Sequence, residues 1–412
     1  MSRYRWMSAC VAVLLAVALL GACSKSKPKA NQAQSGKPLV IGASISASGD
    51  FADPAKLVLR GYQLWVDQVN AKGGLLGRKV QLKIVDDASN PDQVLTNYQN
   101  LITRDHVDLV FGPFSSLLTI PAGRVASRYQ YALLGPEGGG PKVFAEKLPN
   151  YFFVQPAPVI DSADVFVKYL MTLPADQRLK TAAYPSLDDP FAQPIVDRVR
   201  TQLESAGVTT VYKTTYPEET HDLGPIVQKM AAAKPDLVVA GTQSADAYAE
   251  VKAMVQQGFN PKMLYMTNGA NAPTEFPDKV GKANVEGVFS GSSWVPDAKT
   301  TGNEEFVKAY TAKYGGTAYD IDGNSADAYA VGQLLEAVAA KAGKIDNQTI
   351  ISQLHQGTWK TIQGDLSWDQ YGAPQGNDIL VEWVGGKLSP VFPAEVAITA
   401  AKPTKPAWGA SS

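Results

Sequence analysis

Residues 39–87 read LVIGASISASGDFADPAKLVLRGYQLWVDQVNAKGGLLGRKVQLKIVDD. The opening run, Leu39 to Ile45, is short, apolar and ends in small residues, the pattern of a strand buried on both faces. From Pro54 to Asn70 the period changes. Val58, Tyr62, Trp65, Val66 and Val69 form one apolar stripe at helical spacing. Pro54 falls near the first turn, where its missing N–H is not needed. Asn70-Ala71-Lys72-Gly73-Gly74 stops the helix and turns the chain through glycines. Val80 to Asp86 then reads as a second strand. Strand, helix, strand at this spacing predicts a parallel pair with a right-handed crossover.

The same unit recurs. Helices are expected over Pro91–Arg104 and Ser116–Tyr129, and strands over Val107–Gly112, Tyr131–Gly135 and Tyr151–Val154. A second run begins with a helix over Val159–Met171 and a strand over Lys180–Tyr184. It continues with helix Phe191–Ala206, strand Val208–Tyr216, helix Leu223–Ala233 and strand Asp236–Gly241. Helix Ala245–Gln257 and strand Met263–Thr267 complete it. The fold class is therefore α/β, with two doubly wound parallel-sheet lobes in succession. The remainder is mixed. Val285–Ser290 reads as a strand, Asn303–Tyr314, Asp322–Ala342 and Asn347–Gln356 as helices. Thr358–Ile362, Leu366–Trp368 and Asp378–Trp383 read as short strands with glycine turns between them. No third core is evident, so these segments are expected to complete the two lobes.

The chain has 412 residues, 45% hydrophobic and 19% charged, with a formal net charge of −1. That is ample for packed cores and offers no basic field for nucleic acid. Two cysteines and three histidines exclude a disulfide framework. His106, His221 and His355 show no ligand spacing, so neither metal nor cofactor is expected. Arg3 and Arg5 precede an apolar run, Ala9 to Leu20, too short to span a bilayer comfortably and suited to a signal-peptide core. It ends in Leu20-Gly21-Ala22-Cys23, which resembles the bacterial lipobox. Cys23 is then the lipidated first residue of the mature chain, whose charge becomes −3. Ser24 to Pro38 reads as a flexible tether, and Ala400 to Ser412 as a fraying tail.

Ile41-Gly42-Ala43-Ser44 with Ser48-Gly49-Asp50, the segment Asn70 to Val80, Asp86-Asp87 and Asn90-Pro91 together resemble the branched-chain amino-acid (leucine/isoleucine/valine) type of periplasmic substrate-binding protein. Phe111-Gly112-Pro113-Phe114-Ser115-Ser116 sits where that family places a ligand loop. The resemblance spans roughly residues 38 to 395. It implies a type I binding fold, in which two lobes are joined by three crossings and the ligand is held between them. The crossings are expected near Gln155–Pro158, Val285–Gly287 and Gln356–Trp359. The expected organisation is signal 1–22, lipidated tether 23–38, first lobe 39–155 plus 287–357, second lobe 156–286 plus 358–398, and flexible tail 399–412. It further implies a monomer, outside the cytoplasm and bound to the membrane by its lipid alone, that closes on a small solute and docks on the permease of an ABC importer.

Ligands of an open parallel sheet sit beyond the carboxyl ends of its strands. In the first lobe that selects Asp50 and Phe51, then Ser115, Ser116 and Thr119, then Pro136, Glu137 and Gly138, and finally Trp294 in the loop Gly291–Trp294. Ser115 and Ser116 precede a helix, so hydroxyls and free N–H groups converge on a ready anion site, unless the serines are simply caps. The glycines of Gly135-Pro136-Glu137-Gly138-Gly139-Gly140 lack the lysine and spacing of a phosphate loop. They let backbone approach a ligand or merely form a loop, and Glu137 faces either the cleft or solvent. In the second lobe the strand ends select Tyr184, Phe191, Thr242, Gln243, Asn268 and Gly269. Many amino-acid binders of the family hold the ligand ammonium with an acidic residue where Asn268 stands. Either Glu137, Asp50 or Asp188 takes that role here, or the ligand is another carboxylate, an amide or a urea-like solute.

Two other functions share this architecture. An enzyme is disfavoured: no Gly-x-Gly-x-x-Gly opens the first helix and no Gly-x-Ser-x-Gly elbow occurs. A sensor that presents its ligand to a signalling receptor has the same sequence signature as a transporter component. A neighbouring permease gene set or a neighbouring histidine kinase would separate them.

Overall fold

The computed structural model describes residues 36–409. The signal, Cys23 and most of the tether lie outside the described residues. Fourteen strands and twelve α-helices are arranged in two sheets and a small hairpin among these residues. The first sheet is built from β1 (Leu39–Ser44), β2 (Val80–Val85), β3 (Leu109–Phe111), β4 (Leu133–Gly135) and β5 (Tyr151–Phe153). They alternate with α1 (Ala52–Ala71), α2 (Pro91–Thr103), α3 (Ser116–Arg128) and the short α4 (Pro141–Ala145). All pairings in it are parallel, in the order β2-β1-β3-β4-β5. With right-handed crossovers, the reversal of direction at β1 puts α1 on one face and α2 and α3 on the other. The packing agrees: α2 lies on α3, and α1 lies on a later helix, α11 (Gly323–Ala342). Gly61 and Gly332 let α1 and α11 approach closely, since a Cβ at either would stand 2.2 Å from the Ser325 carbonyl oxygen or 2.0 Å from the Trp65 ring.

The second sheet takes β6 (Thr181–Leu187), β7 (Thr209–Tyr216), β8 (Leu237–Ala240), β9 (Met263–Met266) and β10 (Val288–Ser292), all parallel. Their helices are α5 (Asp164–Thr172), α6 (Ala192–Ser205), α7 (Gly224–Ala233), α8 (Ser244–Gln256) and α9 (Glu275–Val280). An antiparallel pair extends it, giving the order β14-β13-β10-β9-β8-β6-β7. Between the crossings lie α10 (Asn303–Tyr314), α12 (Asn347–Leu354) and the hairpin β11 (Trp359–Thr361) and β12 (Gly364–Leu366). The pair is β13 (Ile379–Val384) and β14 (Lys387–Phe392), turning at Gly385-Gly386. The second sheet is therefore not wholly parallel, and β14 has no counterpart among the strands expected from sequence.

Residues 154–158 lead from β5 to the 3-10 turn at Val159. The chain's return from the second sheet comes later than Val285–Gly287. Val288–Ser292 pairs with β9 and β13, so the chain leaves the second sheet only after Ser292, and residues 287–292 belong with the second lobe. The third crossing comes about twenty residues later than Gln356–Trp359. The hairpin packs on α11, Trp368 Nε1 donates to the Phe153 carbonyl at 2.6 Å, and Gly376 N donates to the Pro156 carbonyl at 2.7 Å. These contacts hold the segment beside the first lobe until β13 begins. The tail also differs from expectation. Lys405 N bonds the Lys262 carbonyl at 2.7 Å, Trp408 Nε1 bonds the Phe259 carbonyl at 2.7 Å, and Lys402 pairs with Glu286. The indole of Trp408 packs on the second core, so 400–409 is a strap rather than a fray.

Candidate functional site

The carboxyl ends of both sheets face one cleft, at the two places where strand order reverses, beside β1 and β3 and beside β6 and β8. That is where an open α/β sheet leaves a crevice. Two chambers occupy it. The inner one, about 720 Å³ and open to solvent, is walled by residues of both lobes. It holds Ser115, Ser116, Glu137, Gly138, Phe191, Gln243 and Asn268 of the expected residues. Asp50 and Phe51 line an outer chamber of about 730 Å³ with Glu218 and His221, and Gln243 reaches both.

The first-lobe wall is made of hydroxyls. Tyr62 and Tyr98 donate to the carbonyls of Gly112 and Phe111, fixing the end of β3. Ser115 then caps α3 with φ 71° and ψ 154°, a conformation that costs about 1–3 kcal/mol for a non-glycine residue. Its Oγ accepts from Leu118 N at 3.2 Å, and Ser116 Oγ accepts from Gly140 N at 2.9 Å. Each hydroxyl thus has its proton free for an acceptor in the chamber. The free N–H groups of the first turn of α3 add to the same positive end. The glycine loop is shaped by packing: a Cβ at Gly138, Gly139 or Gly140 would come within 2.1 Å of Thr119, 2.2 Å of Phe153 or 2.6 Å of Ser116.

The second-lobe wall is a relay. The N–H groups of Phe191 and Ala192 donate to Asp189 Oδ1, and Gln243 Nε2 donates to Asp189 Oδ2 at 2.8 Å. Gln243 Oε1 must then accept, and it does so from Asn268 Nδ2 at 3.0 Å. The carboxylate therefore dictates how both amides are turned, leaving Asn268 its oxygen and one N–H for the cleft. Burial raises the Asp189 carboxyl, opposed by Gln243 and the two N–H groups.

The floor is acidic. Asp327, on α11, is 3% exposed. Its Oδ2 accepts from Gln155 Nε2 at 3.0 Å, and its Oδ1 accepts from Ser293 Oγ at 2.9 Å and from Gln363. Gln155 follows β5, Ser293 follows β10, and Gln363 turns the hairpin β11–β12, so one carboxyl ties the first two crossings to the hairpin. Glu137 shares Gln155 Nε2, at 3.2 Å, and its Oε1 is buried without an N–H or hydroxyl donor. Burial raises both carboxyls well above the usual range, and their mutual proximity raises Asp327 further. Asp378, just before β13, is raised by burial and then by Asp161. None of these residues except Glu137 was singled out from sequence as a ligand contact. The available signal was in α11, which is buried nearly all round from Ser325 to Leu335, so an aspartate in it had to be buried too.

Several expected residues stand elsewhere. Tyr184 is mid-strand, because β6 runs on to Leu187, and it is fully buried within the sheet. Trp294 turns away: its Nε1 donates to Asn303 Oδ1 at 2.7 Å and its ring meets Phe306 edge-on. Thr242 and Thr119 spend their hydroxyls on the carbonyls of Asn268 and Ser115. Pro136 serves through its carbonyl, which accepts from Gln155, and Gly269 makes the turn behind Asn268 with φ 84°. Asp188 is exposed and lines neither chamber, which leaves Glu137 as the acid of the inner one among the three weighed for an ammonium.

Two lobes of parallel sheet, a cleft at their carboxyl ends and polar groups converging from both sides define a two-lobed binding protein. The profile of the periplasmic binding protein family matches residues 38–387, and the chain belongs to that family. It is 25% identical over 385 residues to the Leu/Ile/Val-binding protein homolog 7 of Brucella suis, covering 90% of this chain and 95% of that one. It is 26% identical over 354 residues to homolog 1 of Brucella abortus, covering 84% and 91%. Among solved structures, the branched-chain amino-acid substrate-binding protein of Streptococcus pneumoniae in complex with isoleucine superposes with a TM-score of 0.76 at 20% identity, covering 85% and 97%. A solute-binding protein of an ABC transporter from R. palustris in complex with benzoate superposes with a TM-score of 0.75 at 20% identity, covering 89% and 99%.

Proposed function

We propose that this protein is the solute-binding component of an ABC importer. It is held by lipid on Cys23 to the outer face of a bacterial membrane, and it captures a small amino acid or a related carboxylate or amide. The observation that carries the reading is the pair of serine hydroxyls at the start of α3, each accepting from a backbone N–H and so presenting its proton to the inner chamber. A ligand carboxylate suits that end of the chamber. The family membership and the named ligands of similar proteins, isoleucine and benzoate, support the same size and polarity. Closure follows if ligand contacts from the second lobe, through Asn268 and Gln243, exist only when the lobes meet. Closed lobes then dock on the permease.

A thermal-shift panel of amino acids, aromatic acids, urea and short amides tests the reading. At least one class raises the melting temperature by several degrees. A folded protein indifferent to all of them overturns the reading. Replacing Cys23 by Ala should release the protein from the membrane fraction.

A further inference from the structure

The inner chamber is lined by three carboxyl groups, Glu137, Asp327 and Asp378. Among the described residues, no lysine, arginine or histidine lines it. A buried carboxylate without a cation is costly, so the unliganded site keeps these groups protonated or leaves them strained. Asp378 is 8% exposed and its Oδ1 is buried with no hydrogen-bond partner. Beside it Gly291 carries no side chain, and the Tyr265 hydroxyl, also without a partner, lies 3.4 Å from where a Cβ on Gly291 would stand. Glu137 Oε1 meets no N–H or hydroxyl donor, and the Glu137 and Asp327 carboxyls lie close enough to share a proton. The two acidic positions are separate: Asp378 feels Asp161, whereas Glu137 and Asp327 feel each other and Asp322.

The charges around each position do not neutralise it. Arg198 lies near Asp378 but is already held by Asp161 at 2.8 Å and Asp164 at 2.6 Å. Lys168 and Arg198 share a separate cavity with Asp378 and do not line the inner chamber. On the other side Arg60 acts on Asp322, and Glu275 opposes it there. A cationic group on the ligand would complete the chamber.

We propose that the cleft selects a solute of net positive charge, an amino acid with a second cationic nitrogen, such as a diamino or guanidino acid. Its carboxylate meets Ser115 and Ser116, one nitrogen meets Glu137 and Asp327, and the other meets Asp378. This deepens the solute-binding reading and rests on it.

Calorimetric titration of the purified protein with lysine, ornithine, arginine, leucine and benzoate tests the proposal. A cationic amino acid binds at least tenfold more tightly than leucine or benzoate, and its binding releases protons, read from the dependence of the heat on buffer ionisation. Asp378→Asn lowers the lysine-to-leucine affinity ratio at least tenfold while the unliganded protein melts no earlier. Leucine or benzoate binding as tightly as every cationic amino acid overturns the selectivity and leaves the solute-binding reading intact. No binding by any of these five overturns the selectivity, and the solute-binding reading falls with it only if urea and the short amides also leave the melting temperature unchanged.

Discussion

The serine wall and the acidic floor of the inner chamber contrast in how their polar groups are satisfied. Ser115 and Ser116 complete their acceptor bonds with backbone N–H groups a few residues or one loop away. They are ready before a ligand arrives. The floor places Glu137 and Asp378 with buried oxygens that no N–H or hydroxyl of the described chain satisfies. One region is preorganised for an anion, the other waits for a donor. In the proposed binding mode the difference gives the ligand a direction, carboxylate toward α3 and nitrogen toward the acidic floor.

The largest way to break the contrast is Asp327→Ala. It strands the Gln155 and Gln363 amides and the Ser293 hydroxyl, at two crossings and the hairpin, so stability falls by about 3 kcal/mol or more in urea unfolding. Asp327→Asn recovers part of the loss, since an amide still accepts through its oxygen. Next is the wall itself. Ser116→Ala removes one free O–H donor and weakens a carboxylate ligand about tenfold by calorimetry; it also strands the buried Gly140 N–H, at about 1 kcal/mol of unliganded stability. The smallest effect sharpens the contrast through pH. Burial first, with neighbouring carboxylates, raises Asp322 and Asp246 to about 7 and Glu382 to about 8. Their folded values exceed their unfolded ones. They contribute stability that is complete below the ordinary carboxylate range and lost as pH rises through 7–8. The unliganded melting temperature should therefore drop by roughly 3–6 °C between pH 5 and pH 8.5. A melting temperature that rises over that interval contradicts these buried acids.

What was legible in the sequence follows the same divide. Strand and helix order, the serine cap, Gln243 and Asn268 were readable because each rests on local periodicity or on a turn at a strand end. Tyr184 was misplaced because β6 runs three residues beyond the point where its apolar run ends. The third crossing was misplaced because residues 359–378 fold through a hairpin and an irregular loop with no period to read. The tail was misread because a tryptophan and a few backbone bonds, not a pattern, tie it down. Asp327 and Asp378 were invisible as site residues, since a lone aspartate reads as surface until the packing around it is known. Their roles depend on partners as far as 172 residues away, as in the bond from Gln155 to Asp327.

The central claim is that one solute spans the serine wall and the acidic floor. A crystal structure of the protein with the best ligand of the panel tests it most directly. The ligand carboxylate should lie within hydrogen-bond distance of Ser115 or Ser116 Oγ, with a ligand nitrogen against Glu137, Asp327 or Asp378. A ligand bound outside the inner chamber, or inside it with its carboxylate away from α3, would contradict it.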